Sequence, residues 1–516
     1  MDIDKILSSI GGFGFFQKRN SFILGLVIFI ATFQTVLIVF VGMEPPWKCA
    51  QDSTTCTLNG TFSSGDENYD SRCSMNRSDW EFTSGFTSIV SEWDLICGKA
   101  AMASLAQSIL FIGWIPGAFI IGKLSDMFGR TRMLFPSIAV VAVASLSCSF
   151  AQHLWLYLVL RAIVGFFEGG VYIVLYVLST EFVGPAHRSL AGTLNWVFFT
   201  LSLITLDGLA YGLHDWRHLS IAVSVPALPL FFFWWLVPES CRWQLVNNRC
   251  KEARQTLEHI AKLNGKNLPS DVMPAINNVE EEKLFRGGIL DLFKPRQQLK
   301  QTLILWFSWL TNAMVYYGVT LSAGVLGGSL YLNFLLASLV ELPGNLFSIW
   351  FMNLAFQVGG IKFYGRKRAL IIGLILAALF CTFVSVFPKK GPGHYQVIKI
   401  ISAVLGKFCI SISFCTIYVT STELLPTVIR NIGMGSMAVF DQLGASLAPF
   451  IILLDKSHPI LPFSLMAGFA LIAGLLCLLL PEPLGRRTLE TLDDVNRDNA
   501  TFALPADNTD TIDTAL

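Results

Sequence analysis

The chain has 516 residues, of which 53% are hydrophobic and 14% are charged, and its mean hydropathy is +0.57. Since soluble proteins carry about 25% charged residues, this composition predicts a membrane protein. The net charge of +1 argues against nucleic acid as a partner, because nucleic-acid-binding domains are strongly basic.

The first segment, residues 1–20, has a short apolar stretch interrupted by charges. It lacks the basic start and the small-residue cleavage site of a signal peptide, so we expect no cleavage. Ile3, Ile6, Leu7 and Ile10 follow the helical spacing of an amphipathic segment that lies at a membrane surface. We therefore predict a cytoplasmic amphipathic segment ahead of the first membrane span.

Twelve apolar runs follow, each near the 20 residues that a helix needs to cross a bilayer. They group into two sets of six. The first set predicts an N-terminal bundle at 21–237, and the second predicts a C-terminal bundle at 301–481. The runs lie near 21–43, 100–121, 133–151, 154–178, 189–209 and 218–237, and near 301–321, 328–353, 368–388, 396–419, 432–454 and 461–481.

Three polar stretches complete the chain. Residues 238–300 predict a cytoplasmic linker with short helices, while the tail at 482–516 has no apolar periodicity and is expected to be disordered. The third stretch, 44–97, contains four of the 11 cysteines and glycosylation sequons at Asn59 and Asn76. Together these features predict an extracellular loop with two disulfides, and the sequence leaves open which of three pairings forms. The four cysteines are Cys49, Cys56, Cys73 and Cys97.

Positive charge determines the predicted orientation. Short loops rich in lysine and arginine stay on the cytoplasmic side of a membrane. The turns at 122–132 and 359–368 and the linker at 238–300 are basic, and the cysteine loop lies on the opposite side. Because an even number of spans puts both termini on one side, we expect the N- and C-termini to be cytoplasmic.

The two halves repeat three short motifs at nearly one spacing. Each motif occurs at the cytoplasmic end of a predicted span, and its second copy follows 236 to 243 residues later. Such a repeat indicates two homologous bundles, an arrangement typical of transporters with a substrate site between the bundles. The pairs are Gly129-Arg130 with Gly365-Arg366, the Ser-Thr-Glu motifs that end at Glu181 and Glu423, and Pro238-Glu239 with Pro481-Glu482.

These motifs also resemble a known family. The turn Gly122-x-Leu-x-Asp126-x-x-Gly129-Arg130 is similar to the signature between spans 2 and 3 of the major facilitator superfamily, and 238–243 and 481–486 resemble the exits of its spans 6 and 12. The stretches 88–97, 180–184 and 316–318 are similar to its organic cation/anion/carnitine transporter family, and 317–324 is similar to the zwitterion branch of that family. The resemblance implies an all-α polytopic membrane protein with 12 transmembrane helices in two six-helix pseudo-symmetric bundles.

The resemblance further implies a plasma-membrane transporter, not an enzyme, that moves small organic cations or zwitterions such as carnitine-like or amine solutes by alternating access. Two alternatives stay open: an organic anion or neutral solute as cargo, and a membrane receptor or enzyme on a transporter-like scaffold. No nucleotide-binding G-x-x-x-x-G-K-[ST] or zinc-binding H-E-x-x-H motif occurs, so we expect no cofactor and no metal. The sequence does not decide whether Na⁺ or H⁺ drives transport, nor the oligomeric state.

Six charged residues lie within the predicted spans, where a charge costs about 2.5–3.5 kcal/mol and is a functional candidate by default. Arg161 and Lys407 occupy matching positions in the two halves, and with Asp207 they are expected to pair between helices or to lie near a span end. Glu341, beside Pro343 in span 8, is expected to bind substrate. The remaining candidates are Glu168 and Asp441.

The resemblance bears on the charge of the cargo. Anion transporters of the family have a lysine at the position of Asn345 and an arginine at the position of Gln442, where cation transporters have an aspartate. Both positions are neutral here, which disfavours an organic anion because its charge would be desolvated without a partner. Asp441 lies one residue earlier, and the sequence does not decide whether it faces the cavity.

Five aromatic residues match cavity-lining positions of cation transporters by resemblance, and ring faces attract cations within about 6 Å. Trp309 and Tyr316 are seven residues apart and therefore share a helix face. The five residues are Tyr172, Trp196, Phe199, Trp309 and Tyr316.

Charged residues at the cytoplasmic span ends are predicted to gate the cavity. Ion pairs there can join the two halves when the cavity faces outward, and they break when the bundles rock. The turn at 122–132 contains the acid Asp126, whereas its repeat at 359–368 has no acid at that position. We therefore predict that the ion pairs of the first turn act as a latch that holds the two halves together, and that the second turn only fixes the topology of the spans. The predicted gating residues are Asp126, Arg130, Glu181, Arg188, Glu239, Arg242, Glu423, Arg430, Glu482 and Arg486.

Overall fold

The structure is a computed structural model that describes residues 3–51, 53, 55–63, 66, 68–83, 85–184, 187–268, 289–294, 296–353, 355–358, 361–387 and 393–483. It is mainly α-helical, as expected of segments that must satisfy their backbone hydrogen bonds inside a bilayer. Among these residues, ten helical stretches are long and apolar enough to cross a membrane. The helices Arg296–Leu321 and Leu461–Cys477 complete a set of twelve.

We number the spans 1 to 12 along the chain, and the predicted arrangement of two halves with six spans each is confirmed. Span 1 is Phe15–Val36 with Ile38–Val41, span 2 is Ala100–Phe128, span 3 is Arg130–Cys148, span 4 is Leu154–Glu181, span 5 is Arg188–Gly212, and span 6 is Trp216–Ser224 continued by 3₁₀ turns to Trp235. Span 7 is Arg296–Leu321, span 8 is Leu330–Leu339 with Glu341–Asn353, span 9 is Arg366–Val386, span 10 is Gly393–Leu424, span 11 is Thr427–Leu453, and span 12 is Leu461–Cys477.

The ends of the spans differ from the predicted ones. The sequence predicts that span 2 ends near residue 121, but its helix continues to Phe128. The turn predicted at 122–132 is therefore helical except at Gly129, whose φ of +118° breaks the helix. Gly365 interrupts the chain before span 9 in the same way, with a φ of +99°. Glycine adopts such angles without strain, so one residue sets each turn.

Glycines also bring the spans of each half close together. A Cβ added at Gly113 or Gly117 of span 2 would collide with the backbone carbonyl of Ala162 or Phe166 in span 4. Gly444 has the same role between spans 11 and 7. Small residues let helix backbones approach inside a membrane, where close packing drives helix association.

The cysteine loop at 44–97 folds as a small domain on a three-stranded antiparallel sheet. Trp47–Cys49 is the central strand, and Thr61–Phe62 and Trp80–Phe82 pair with it on either side. Trp47 lies opposite both Phe62 and Phe82, so aromatic side chains stack across the sheet. The other elements are 3₁₀ turns at Tyr69–Ser74, Arg77–Asp79 and Cys97–Lys99, a helix at Ile89–Glu92, and the disulfides Cys49–Cys56 and Cys73–Cys97.

Arg72 is buried at the centre of this loop domain. Its guanidinium lies 4.2 Å from the ring centroid of Tyr69 and 5.6 Å from that of Trp80, and it forms an ion pair with Glu44. Burial of a charge requires such a partner. Glu44 also pairs at 2.8 Å with Lys456, just after span 11, so one carboxylate ties the loop domain to the C-terminal half.

The N-terminal segment packs on the linker, whereas the sequence predicts that it lies on a membrane surface. Its helix Ile3–Ser9 buries Ile6 and Leu7 inside the protein. The side chain of Asn264 in the linker accepts a hydrogen bond from the backbone N–H of Phe16 at 2.9 Å. The apolar periodicity is therefore that of a helix packed against protein.

The linker contains the helices Cys241–Val246 and Cys250–Leu263 and a 3₁₀ turn at Ile289–Phe293. Between spans 8 and 9, where the sequence predicts only a basic turn, Ala355–Val358 and Ile361–Tyr364 form an antiparallel hairpin. The linker residues 269–288 and the tail from residue 484, with the predicted gating residue Arg486, lie outside the described residues.

The two halves meet at their outer ends. Ser108 of span 2 donates a hydrogen bond of 2.6 Å to the backbone carbonyl of Ser446 in span 11. Phe40 of span 1 packs on Phe334 of span 8, with 4.9 Å between ring centroids. Together with the Glu44–Lys456 ion pair, these contacts close the side that carries the cysteine loop.

Candidate functional site

Aromatic side chains from both halves meet at the centre of the protein. The ring centroid of Trp196 in span 5 lies 6.0 Å from that of Tyr418 and 6.2 Å from that of Phe414, both in span 10. Trp309 of span 7 contacts the same two rings, at 4.4 Å from Tyr418 and 6.0 Å from Phe414. Tyr316 packs on Phe414 at 5.4 Å. Rings from spans 5, 7 and 10 thus form one cluster across the interface, which we call the aromatic cluster.

Three of the five aromatic residues selected from the sequence belong to the aromatic cluster. Phe199 joins it through Trp196, with 5.7 Å between ring centroids. Tyr172 lies beside Trp114 instead, at 5.4 Å, and its hydroxyl is 2.9 Å from Thr32 Oγ1. The structure therefore brings four of these residues together and places Tyr172 on a neighbouring wall of the N-terminal half.

Three further aromatic residues of this region, Phe414, Tyr418 and Tyr317, are not among those predicted from the sequence. Phe414 and Tyr418 are four residues apart, a spacing that puts both on one face of span 10 and could have indicated them. Tyr317 contacts Phe111 of span 2 at 4.8 Å and Tyr316 at 5.2 Å between centroids. It therefore reaches across the interface between the halves.

Glu341 is buried in span 8 and has an internal cation as its partner. Its Oε1 lies 2.9 Å from Nζ of Lys407 in span 10 and accepts a hydrogen bond of 2.7 Å from the Tyr316 hydroxyl. Lys407 also donates to Thr320 at 2.6 Å and lies 3.0 Å from the centroid of the Tyr316 ring. Lys407 therefore already compensates the charge of Glu341. Such a paired carboxylate does not fit the predicted role of Glu341 as a substrate-binding residue.

Arg161 is the matching cation of the N-terminal half. It donates two hydrogen bonds of 3.1 Å to the backbone carbonyl of Gln34. Glu168 accepts a hydrogen bond of 2.5 Å from the Thr35 hydroxyl, and Arg161 acts on it electrostatically. The core of this half therefore holds one cation and one acid without a direct ion pair between them.

Asp441 in span 11 is a buried acid without a cation. It is 6% exposed, and its Oδ2 accepts a hydrogen bond of 2.9 Å from the side-chain amide of Gln442. In the part of the chain that the structure describes, its Oδ1 has no hydrogen-bond partner and no ion pair involves it. Asp441 interacts electrostatically with Tyr317 and Tyr418. Its carboxylate thus lies within electrostatic range of Tyr418 of the aromatic cluster and of Tyr317.

Asn345, the other neutral position selected in span 8, is half-buried. Its side-chain oxygen accepts a hydrogen bond of 3.2 Å from the thiol of Cys415, which follows Phe414 of the aromatic cluster. Asn345 therefore borders the same region. Within the described residues, no group of three or more histidine, cysteine, aspartate or glutamate side chains could hold a metal ion.

At the end of the N-terminal half that lies opposite the cysteine loop, Glu239 contacts the first residues of span 3. Its carboxylate accepts hydrogen bonds from the backbone N–H groups of Arg130, at 2.8 Å, and Thr131, at 3.2 Å. The Arg130 side chain forms ion pairs with Asp126 and, at 3.7 Å, with Glu181. A Cβ at Gly129 would collide with the Glu239 carboxylate, which explains the glycine.

The C-terminal half repeats this arrangement. Glu482 accepts hydrogen bonds from the backbone N–H groups of Arg366, at 2.9 Å, and Lys367, at 3.1 Å, and a Cβ at Gly365 would collide with it. The Arg366 side chain pairs with Glu423 at 2.7 Å. The second copy therefore makes the same backbone contacts and the same Arg–Glu ion pair as the first, and it lacks only an equivalent of Asp126. The predicted difference in function between the two copies stays a prediction.

The ion pairs of both latches connect spans within one half in this conformation, whereas the sequence predicts pairs that join the halves. Two further gating candidates also make contacts within their own half. Arg242 donates to the backbone carbonyl of Glu181 at 3.4 Å, and Arg430 donates to that of Leu425 at 3.3 Å. The contacts of each latch thus connect the span ends of one bundle.

Two six-span bundles that enclose a polar and aromatic centre define a membrane transporter with the major facilitator fold. The solved structure of the E. coli xylose transporter XylE in its inward-open conformation shares this fold, with a TM-score of 0.65 at 16% identity over 93% of this chain and 99% of that chain. A family model described as sugar (and other) transporter matches residues 51–495. The chain belongs to this transporter family and, through the relatives described next, to solute carrier family 22.

Three relatives cover almost the whole chain. Solute carrier family 22 member 3 of Rattus norvegicus is 31% identical over 96% of this chain and 95% of its own length. The organic cation/carnitine transporter 4 of Arabidopsis thaliana is 32% identical over 95% and 90%. The organic cation transporter protein of Drosophila melanogaster is 29% identical over 96% and 94%. The predicted family and the multi-pass transporter function are confirmed.

Proposed function

We propose that this transporter moves small organic cations or zwitterions across the plasma membrane by alternating access, and that Asp441 is the counter-charge of the cargo. The observation that carries the proposal is the isolation of Asp441. Lys407 pairs directly with Glu341, and Glu168 accepts a hydrogen bond from Thr35 and lies within electrostatic range of Arg161. No cation acts on the Asp441 carboxylate among the described residues, and an unpaired intramembrane acid is a functional site by default.

The aromatic cluster supports a cation as cargo. A ring face within about 6 Å of a cation contributes about 0.5–2 kcal/mol, and more where water is excluded. Tyr317 and Tyr418 lie near Asp441, and Trp309 packs on Tyr418 at 4.4 Å. Two of the relatives, from Drosophila melanogaster and Arabidopsis thaliana, are named as transporters of organic cations or carnitine, which supports this proposal.

A zwitterion would also need a donor for its carboxylate. The indole N–H of Trp114 in span 2 is buried and has no acceptor among the described residues. Trp114 lies beside Tyr172, and both Tyr172 and Asp441 interact electrostatically with Tyr317. We therefore assign Trp114 as the donor to the anionic end of a zwitterionic cargo.

The mechanism follows from the contacts of the two halves. Ser108 with Ser446 and Glu44 with Lys456 close the outer end, so the cargo leaves this conformation towards the cytoplasmic side, where basic turns place both termini. When these contacts break, each bundle moves as a body because its own latch holds the span ends together. Asp441 then faces outward and binds the next cation.

Uptake by the full chain in proteoliposomes tests this proposal. Labelled tetraethylammonium, L-carnitine, benzoate and glucose represent a cation, a zwitterion, an anion and a neutral solute. We expect saturable uptake of the first two, and Asp441→Asn should lower cation uptake efficiency by about 30-fold or more, because loss of one partner from a buried charge pair costs about 2–5 kcal/mol. Glucose uptake should stay at background throughout.

Asp441→Glu is the matched control, because it keeps the charge and should retain at least one-tenth of the wild-type efficiency. Preferred uptake of benzoate or glucose would contradict the cation proposal. No uptake of any of the four solutes by demonstrably folded protein would favour a receptor or an enzyme. Repeating the measurement without sodium and at two pH values would identify Na⁺ or H⁺ as the coupling ion.

A further inference from the structure

The two disulfides of the cysteine loop differ in how far they are exposed. Cys56, which belongs to one of them, is 8% exposed and packs with Trp47 and Trp80 in the apolar core of the loop domain. The other bond joins Cys73 and Cys97, and both of these residues are exposed. A dissolved thiol can therefore approach the second bond, and exposed disulfides tend to be the labile or regulatory ones.

The backbone of Cys97 is also in an unusual conformation. Its φ of +52° lies in the left-handed region, which residues other than glycine rarely adopt. Cys97 stands three residues before Ala100, where the helix of span 2 begins. Such conformations persist only where the surrounding structure enforces them, and they occur often at switch regions. Cleavage of the disulfide would remove one of the constraints on this residue.

The exposed disulfide connects two of the contacts that close the outer end. Cys73 follows Arg72, whose guanidinium forms an ion pair with Glu44. Glu44 also pairs at 2.8 Å with Lys456 of the C-terminal half. Cys97 leads into span 2, which contacts span 11 of the C-terminal half through a hydrogen bond. The bond therefore fixes the Arg72–Glu44 pair relative to span 2, so that the two contacts between the halves support each other.

A second link would keep the two joined segments together after cleavage. Nε of Arg77 lies 3.0 Å from Oδ1 of Asp94, and the Arg77 guanidinium lies 4.2 Å from the ring centroid of Trp80. Arg77 and Asp94 are within four residues of the two cysteines along the chain. Cleavage would therefore loosen the loop domain without separating the cysteines, so the disulfide can form again.

We propose that the Cys73–Cys97 bond is a thiol-sensitive switch that controls opening of the outer end. A low-molecular-weight thiol on the extracellular side is the reductant. Its thiolate attacks one sulfur atom, which forms a mixed disulfide and releases the other cysteine as a thiolate. A second thiol then attacks the mixed disulfide. Two cysteine thiols and one disulfide of the reductant result, so two electrons and two protons pass from the reductant to the protein.

The reduced form opens more readily at its outer end. Without the bond, the turn that carries Arg72 can move relative to span 2, and Glu44 is no longer held opposite Lys456. The outward-facing form then gains population, so extracellular cargo meets more binding-competent protein. The switch rests on the alternating access of the proposed function, but it does not depend on Asp441 or on the charge of the cargo.

Selective reduction of the full chain in lipid nanodiscs is the first test. Free thiols are blocked, reduced glutathione is added at increasing concentration, and newly formed thiols are alkylated and located by peptide mass spectrometry. We expect alkylation of Cys73 and Cys97 at a lower glutathione concentration than alkylation of Cys49 and Cys56. Equal sensitivity of the two disulfides, or earlier reduction of Cys49–Cys56, would overturn the switch.

Hydrogen exchange at the outer ends of spans 8 and 11, measured without cargo, is the second test. Both ends belong to the C-terminal half, so local fraying of the cysteine loop does not contribute. Glutathione treatment of the folded wild-type protein should speed this exchange about 1.5- to fivefold, the range expected when a partly exposed ion pair is lost. Lys456→Gln should speed it to a similar extent, and glutathione should then add nothing.

Glu81→Gln is the matched control for Lys456→Gln, because it removes an exposed charge that pairs with Lys48 within the loop domain. This variant should exchange as the wild type does and respond to glutathione in the same way. Unchanged exchange after selective reduction of Cys73–Cys97 would overturn the switch, and so would a full response to glutathione in the Lys456→Gln protein. Neither result bears on the cargo, which the uptake of the four solutes tests separately.

Discussion

The two halves of the molecule are built alike at the ends that lie opposite the cysteine loop. Gly129 and Gly365 both interrupt the chain at positive φ, and the carboxylates of Glu239 and Glu482 both accept the backbone N–H groups that follow. These positions recur in the sequence as the repeated motifs. The repeat has therefore preserved the parts that connect the spans of each bundle.

The cores of the two halves differ. Lys407 pairs directly with Glu341 in the C-terminal half, whereas Arg161 in the N-terminal half donates to a backbone carbonyl and lies near Glu168. Asp441, a central acid of the C-terminal half, has no cation partner among the described residues. The repeated motifs therefore connect the spans of each bundle, whereas Asp441, our proposed counter-charge of the cargo, lies outside the repeated motifs.

The largest effect is expected from Lys407→Met, which removes the cation of the direct pair. Glu341 would be left as an unpaired buried charge, and breaking a buried pair in this way costs about 3–5 kcal/mol. Thermal unfolding of the purified protein should show a clear loss of stability. Arg161→Met should cost less, because its direct hydrogen bonds go to a neutral carbonyl.

The double variant Lys407→Met with Glu341→Gln is the control for this prediction. It removes both charges together, so it should recover most of the lost stability and keep the preference for cations over neutral solutes. If the double variant instead loses cation uptake as Asp441→Asn does, Glu341 also acts on the substrate. The distinction between Glu341 as a paired structural charge and Asp441 as the counter-charge of the cargo would then be wrong.

Much of the fold could be predicted from the sequence. Apolar runs predicted the twelve spans and repeated motifs predicted the two halves, because each apolar run and each motif is a short continuous stretch of the chain. The helix ends could not be predicted, since the helix of span 2 continues through Lys123 and Asp126, which are polar but compatible with a helix outside the bilayer.

Less of the candidate site could be predicted. Resemblance indicated Trp196, Trp309 and Tyr316, but nothing in the sequence signals that Glu341 meets Lys407, 66 residues later on another helix. Whether Asp441 or its neighbour faces the cavity is a difference of about 100° around a helix, and only the packing of the helix decides it.

A moderate effect is expected from Glu239→Gln and from Glu482→Gln. Each amide keeps one acceptor oxygen for two backbone N–H groups and loses the charge, which should cost about 1–3 kcal/mol. Thermal unfolding should show similar losses for the two variants, and Glu252→Gln in the exposed linker should show almost none. A loss of thermal stability in only one of the two variants would show that the two latches are not equivalent.

The smallest effect is expected from Asp126→Ala, because Asp126 is the part of the first latch that the second lacks. Its side chain is 66% exposed and pairs with Arg130 across the Gly129 break between spans 2 and 3, and an exposed pair of this kind contributes about 0.2–1 kcal/mol. Arg130 keeps Glu181 and Ser125 as partners. The balance between inward- and outward-facing forms, measured by labelling of single cysteines in the cavity, should therefore change by no more than about fivefold. A larger change would show that Asp126 joins the two halves in the outward-facing form, and the latches would then differ in function although they match in structure.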